Sequence, residues 1–581
     1  MNIYSTAILI SILVYIAVGI FAGRKVKDVE QYMVAGRQAP TLLIVGTLVA
    51  SYLSTNTFLA ETGMAYGVNA GGWILFPAIA TAGYIYGAVF FGRYLRRSRS
   101  LTVAEYFGNR FESRRVQLVA GITVVIGIGC YLIAVTQGSA IILSNLTELS
   151  YTQSIFVAWL SYTSFTLYSG SRGVVLTDTM MFLLFTGVSF IALYAILDLH
   201  GGWLTALDGL VSLETKPDLT TWHGIVGSGH EWQSPGDYLI WQFTVLIAWS
   251  LVTAISPWQS SRYLMAKNEH VVMRAACVTA ISIATIQVVL FAAAATVNLS
   301  KADIDPNEEA MIWAAINLMS PLLGSLLLAG IVAAALSSAT TFLSLVGFNV
   351  SNDILQRSNE NDASALRFSR RIMFLVSVAA LVISLTFEPQ IFWLTYFAGT
   401  LFASAWGPVA LMSVWSKRIT ADAAFWGITI GFFGNVIPKV LSSSGIIDLP
   451  SYLNPILLGA ASSLVTVIWV SRRTVISDGE REFRRKLHVT PREDVSDRET
   501  RKTLCFALAI GLFGILATIL LTLFYVIPYQ RAIAVPGADL VIDWLSAEAL
   551  HAYGWSVLFL PCAWLMYRGA SRSYDPSHRK G

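Results

Sequence analysis

Charge is what this chain has least of. Asp, Glu, Lys and Arg make up 13% of its 581 residues, hydrophobic residues make up 55%, and the mean hydropathy is +0.62. So little charge excludes an ordinary soluble domain, and a net charge of only +4 gives no nucleic-acid footprint. Cysteine is nearly missing. The four present, Cys130, Cys277, Cys505 and Cys562, lie in or beside apolar stretches at unpaired spacings, so neither a disulfide nor a metal site is expected of them. Histidine is scarce too. His200, His223, His230, His270, His488, His551 and His578 all fall in loops or at helix edges, which disfavours a proton relay through a membrane interior. There is no HExxH, no nucleophile elbow and no cluster of His and Asp ligands, which argues against a membrane enzyme.

What is present is apolar sequence in runs of bilayer length. Fifteen such windows between residues 4 and 567 predict an all-α polytopic membrane protein of about fifteen transmembrane helices, with its termini on opposite sides. Threaded from an outside N-terminus, 39 lysines and arginines fall on the inner side except Lys216, Lys301, Lys439 and Arg531. The expected orientation is therefore N-terminus out and C-terminus in, in a multi-pass protein of the cytoplasmic membrane. Arg24, Lys25 and Lys27 follow the first apolar run, opposite to the polarity of a cleaved signal, so that helix is expected to be retained.

The chain divides into a leading helix and connector (1–40), five helices (41–197), an outer loop (198–236), five helices (237–415) and two more (416–470). A charged cytoplasmic linker (471–502) follows, expected to be part helix and part disordered, then two additional helices and a short basic tail (503–581). An odd unit repeated in tandem inserts with opposite topology, so the two sets of five predict an inverted five-helix repeat.

Three polar stretches interrupt the apolar background. In the first, Ala334, Ser337, Ser338 and Thr341 follow i, i+3, i+4, i+7 spacing and share one helical face inside the run 321–350. Their small side chains allow close helix approach, and their hydroxyls, with any freed carbonyls, are hard oxygen ligands for an alkali cation. A tight helix–helix seam is the plainer alternative. In the second, Ala50-Ser51-Tyr52-Leu53-Ser54-Thr55-Asn56-Thr57 puts a polar, poorly helix-forming run at mid-membrane depth, where broken backbone lines a cavity or is packed in protein. Glu61 closes that helix, either facing the cavity or solvated near the outer surface. Asp178 follows the turn 168–173 and has helix capping as its simplest role. In the third, a helix at 237–256 carries Trp241, Gln242, Trp249, Ser250 and Thr253 and breaks at Pro257, in register with the first break if the repeat holds.

These residues, taken in order, resemble one family. Gly36-Arg37, the 50–67 segment ending Gly63-Met64-Ala65-Tyr66-Gly67, and Gly170-Ser171-Arg172-Gly173-Val174-Val175-Leu176-Thr177-Asp178 are similar to the sodium:solute symporters. So are Ser260-Ser261-Arg262-Tyr263-Leu264, Ala334 to Thr341 followed by Asn352-Asp353, and Gly407-Pro408, the likeness covering about residues 4–470. The resemblance implies a leucine-transporter-like core and Na+ as coupling ion. It implies a main sodium site from the carbonyls of Ala50, Leu53 and Ala334 with the hydroxyls of Ser337 and Ser338. It also implies a second sodium site at Asp178, Thr340 and Thr341, with Ser338 shared, and solute contacts at Tyr52, Ser54 and Thr57. Trp249 and Glu61 join the candidate solute residues, Glu61 departing from the uncharged residue the family pattern leads one to expect. The leading expectation is sodium-coupled symport of a small polar organic solute, with the bilayer as surroundings and no obligatory protein partner. A proton-coupled transporter and a transporter-like membrane sensor are the alternatives.

Overall fold

The computed structural model describes residues 3–24, 26–355, 362–447, 449–534 and 541–574. Lys25, Arg357, Arg579 and Lys580, four of the basic positions behind the expected orientation, lie outside the described residues, as does the tail after Tyr574. Among the described residues the structure is helical, apart from one isolated bridge between Ala39 and Ala266.

Thirteen helices are long and apolar enough to cross a membrane, and a fourteenth if the bent pair Thr41–Tyr52 and Asn56–Gly67 is one span. The expected fifteen differs from this count at one place, the 49-residue helix Tyr151–Leu199. Gly170 within it has φ 54° and ψ −152°, a conformation essentially reserved for glycine. Before it, Tyr32 Oη donates to Leu167 O and Arg370 Nη2 to Tyr168 O; after it, Ser171 Oγ donates to Met33 O. The leading helix Ile3–Gly23 shows which way each limb runs. Ser5 at its start donates to Leu146 O, just before the first limb, and Gly23 at its end meets Tyr168. His200, closing the second limb, meets Ser300, which follows the helix Glu269–Val297 at the end far from Tyr32. The run is thus two antiparallel limbs turned by one residue.

The helix Pro321–Phe348 is the central post, buried continuously from Leu327 to Phe348. Apolar side chains such as Leu160, Ile247 and Leu512 point outward instead, as membrane-facing surfaces require. Two helices break near mid-length. One breaks at Leu53 with a 54° bend. The other breaks at Ser256, between Pro235–Ile255 and Pro257–Met265, because the residue before a proline is driven to extended backbone (φ −59°, ψ 149°). Each break falls in the first helix of one of the two five-helix sets expected from the sequence.

The linker, expected to be part helix and part disordered, does contain helix. Residues 472–502 are all described: Asp478–Leu487 is a helix with a capping box between Ser477 and Glu480, and Arg492–Asp494 is a 3-10 turn. Arginines bond the linker to the helices beside it, two of them reaching in from 93–110 and one, Arg484, reaching out of the linker, while Arg481, Arg485 and Lys486 stay exposed. Arg97 Nη1 donates to Leu487 O (2.7 Å), Arg110 Nη1 to Glu480 O (3.1 Å) and Arg484 Nε to Val414 O (3.1 Å). Arg97 also pairs with Glu269, which accepts from Tyr574 of the last helix.

Asp494 is buried in this clasp. Burial first, and the Glu269 carboxylate second, push its carboxyl up to about 7, with Arg96 pulling the other way. Folding thus favours its protonated form, so this residue's contribution to stability declines as pH rises from about 4 to about 7 and levels off above. Asp494→Asn is expected to melt higher than wild type at about pH 8, with the gap shrinking by about pH 5, as thermal denaturation would measure. A gap independent of pH would disprove this account.

Candidate functional site

The break at Leu53 arises locally. Ser54 Oγ accepts from the N–H of Asn56 (3.1 Å), so a side chain takes over a backbone donor. The N–H of Ser54 turns to Tyr52 O (3.0 Å) and that of Thr57 to Ser54 O (3.1 Å). In an unbroken helix those two donors would serve Ala50 O and Leu53 O. The break therefore frees two of the three carbonyls expected to bind a cation, those of Ala50 and Leu53, and the chain resumes as a π turn over Asn56–Glu61.

The central post faces this break. Ala334, Ser337, Ser338, Thr340 and Thr341 are all fully buried. Ser338 Oγ donates to Ala50 O at 3.4 Å, joining the two helices at the freed carbonyl. Ser337 is placed differently from the expectation. Its Oγ donates to Asp178 Oδ1 at 2.7 Å, while Thr47 Oγ1 donates to Asp178 Oδ2 at 2.6 Å. Asp178 is not a helix cap: it lies two turns past Gly170, fully buried, with the Arg262 guanidinium as its countercharge. Arg262 Nη2 donates in turn to Thr341 Oγ1, and Thr340 Oγ1 bonds back to Ser337 O. The oxygens divide into two adjoining groups, a neutral one at the break and an acid–arginine one beside it.

The candidate solute residues divide as well. Glu61 is buried and accepts from Asn56 Nδ2 (2.8 Å) and from Gln287 Nε2 (2.9 Å) of the helix Glu269–Val297. Glu61 and Trp249 line one small cavity. Tyr52 reaches it through edge contact with the Trp249 ring, centroids 6.4 Å apart. Ser54 and Thr57 do not line it. Ser54 Oγ lies 3.4 Å from Tyr131 Oη, and Thr57 is buried within the π turn. Thr47 and Gln287 escaped the sequence reading, as did the roles of Asn56, seen only as part of the polar run, and of Arg262. A lone glutamine in the apolar run 283–291 was the available signal for one of them.

Comparison with known proteins follows this geometry. The sequence model of the sodium:solute symporter family matches residues 32–431. The sodium/proline symporter of Escherichia coli (strain K12) is 21% identical over 485 residues, covering 77% of this chain and 90% of its own length. The sodium/pantothenate symporter of the same strain is 22% identical over 437 residues, covering 72% and 87%. Among solved structures, a substrate-bound, outward-open Na+-coupled sialic acid symporter superposes with a TM-score of 0.69 at 18% identity. It covers 82% of this chain and 99% of its own, a likeness of fold.

Proposed function

Since the chain belongs to the sodium:solute symporter family, we propose that it carries a small polar organic solute together with sodium by alternating access. As a member it is a transporter and not an enzyme, sodium is its coupling ion, and the cytoplasmic membrane is its location. The observation that carries the reading is the meeting of Ser338 Oγ with the freed carbonyl of Ala50. A dehydrated alkali ion needs several hard oxygens without excess charge. At the break it would take the carbonyls of Ala50, Leu53 and Ala334 and the hydroxyl of Ser338, with Ser337 turning from Asp178 to complete the set. A second ion would use Asp178, Thr340 and Thr341 once Arg262 moves off Thr341. The solute would bind against Tyr52, Ser54, Thr57, Glu61 and Trp249, and the end bearing the linker would face the cytoplasm.

The test is tracer uptake into proteoliposomes. An inward sodium gradient is expected to drive accumulation, and potassium at equal membrane potential is not. Uptake driven by a proton gradient without sodium would overturn the reading. With two ions per cycle the Hill coefficient for sodium exceeds one, and Asp178→Asn brings it near one with some uptake left. A wild-type value of one would confine sodium to the break.

A further inference from the structure

The small cavity beside the break has a chemistry of its own. Its non-aromatic polar lining is Asn56, Glu61 and Thr395, and its walls include the rings of Trp73, Phe76, Trp241, Trp249, Phe392 and Tyr396. Glu61 is fixed rather than free: Asn56 and Gln287 each hold one carboxylate oxygen, and Thr395 Oγ1 holds Asn56 by donating to its Oδ1 at 2.7 Å. Both donors are neutral amides. Among the described residues no Lys, Arg or His forms an ion pair with Glu61, whereas Asp178 has the Arg262 guanidinium as countercharge. Asp353, also buried and held by neutral Thr102, Gln117 and Asn352, lies past the end of the central post rather than beside the break. A carboxylate without a cation is costly at this depth, and a cation brought into the cavity from outside the chain would offset that cost.

Resting on the reading of this region as the solute site, we propose that the solute carries a positive nitrogen, an amine or quaternary ammonium, alone or as the cationic end of a zwitterion. Glu61 holds the charge and the surrounding rings hold it by cation–π contact. The face of an aromatic ring attracts a cation, and does so most strongly where water is excluded. A neutral sugar would find few hydroxyl partners here, and a purely anionic solute would meet Glu61 with like charge.

The approach fits the same chemistry. Trp241 and Phe392 line both this cavity and a larger one of about 860 Å³, so they form the partition between the two. The larger cavity carries Glu231, Glu308 and Glu309 against Lys439, an excess of acid that draws cations in. At its wall the Lys439 ammonium already lies 4.9 Å from the centroid of Trp393.

The experiment uses the full-length protein in proteoliposomes, read by tryptophan fluorescence at fixed sodium, with choline, ethanolamine, L-proline, glucose and pyruvate as probes. Saturable responses are expected to choline, ethanolamine or proline and not to glucose or pyruvate. Glu61→Gln is expected to weaken them by about ten-fold or more, the scale of one hydrogen bond to a charged group. The fluorescence change induced by sodium alone should survive in that variant, showing an intact fold, and Trp249→Leu should also weaken the amines. Silence from all three nitrogen probes overturns the proposal, as does an amine affinity that Glu61→Gln changes less than about two-fold. Amine binding that needs Glu61 but not sodium would sink the symport reading and keep this one.

Discussion

Ser338→Ala raises the sodium concentration needed for half-maximal uptake by about five- to 150-fold, the equivalent of about 1–3 kcal/mol for a buried polar group left without its partner. The hydroxyl meets Ala50 O and is fully buried, so no water replaces it when it is removed. Solute affinity at saturating sodium should change little, because Glu61 and Trp249 line a separate cavity. Sodium titration of tracer uptake measures both quantities. Unchanged sodium dependence in Ser338→Ala would remove the break from the ion site. Ser337→Ala gives a contrasting expectation: its hydroxyl bonds Asp178, so its loss should also lower the Hill coefficient.

Arg262→Gln makes the protein's stability depend on sodium. Asp178 and Arg262 are both buried and attract without touching, so removing the arginine leaves the Asp178 charge without its compensating cation. Sodium bound among Asp178, Thr340 and Thr341 would restore the missing charge. A ligand that binds only the folded state stabilises it by mass action. The variant should therefore melt well below wild type in potassium and recover most of the difference in sodium, while wild type shifts far less between the two salts. A loss that sodium does not repair would leave Asp178 and Arg262 as a structural pair and nothing more.

Much of this was legible along the chain. The break at Leu53 follows from Ser and Thr side chains competing for backbone donors, and the break at Ser256 from the proline after it; both effects are local. The small-and-hydroxyl stripe on the central post was visible for the same reason, and the motif resemblance is matched by the family model over residues 32–431. What could not be read is pairing across distance. Gln287 finds Glu61 across 226 residues, and Arg262 reaches Thr341 across 79, and no periodicity encodes either. Ser337 and Ser338 are neighbours that look equivalent in sequence. Only the packing of a third helix turns one to Asp178 and the other to Ala50. The linker's docking was not legible either, because it rests on Arg97 and Arg110, far away in sequence, donating to Leu487 O and Glu480 O.

Gly170 bears on parity. Without its unusual backbone, residues 151–199 would form one rod of about 74 Å, more than twice the thickness of a bilayer's hydrocarbon core. With it, the chain reverses and the number of crossings rises by one. Every segment after residue 170 then owes its polarity to a single dihedral pair: which end of the central post faces which compartment, and on which side the linker folds. A substitution that forbids that pair does not merely weaken a contact. It would set the insertion of the downstream chain against the orientation expected from its basic residues, a conflict that arises as the protein enters the membrane, before any ion binds.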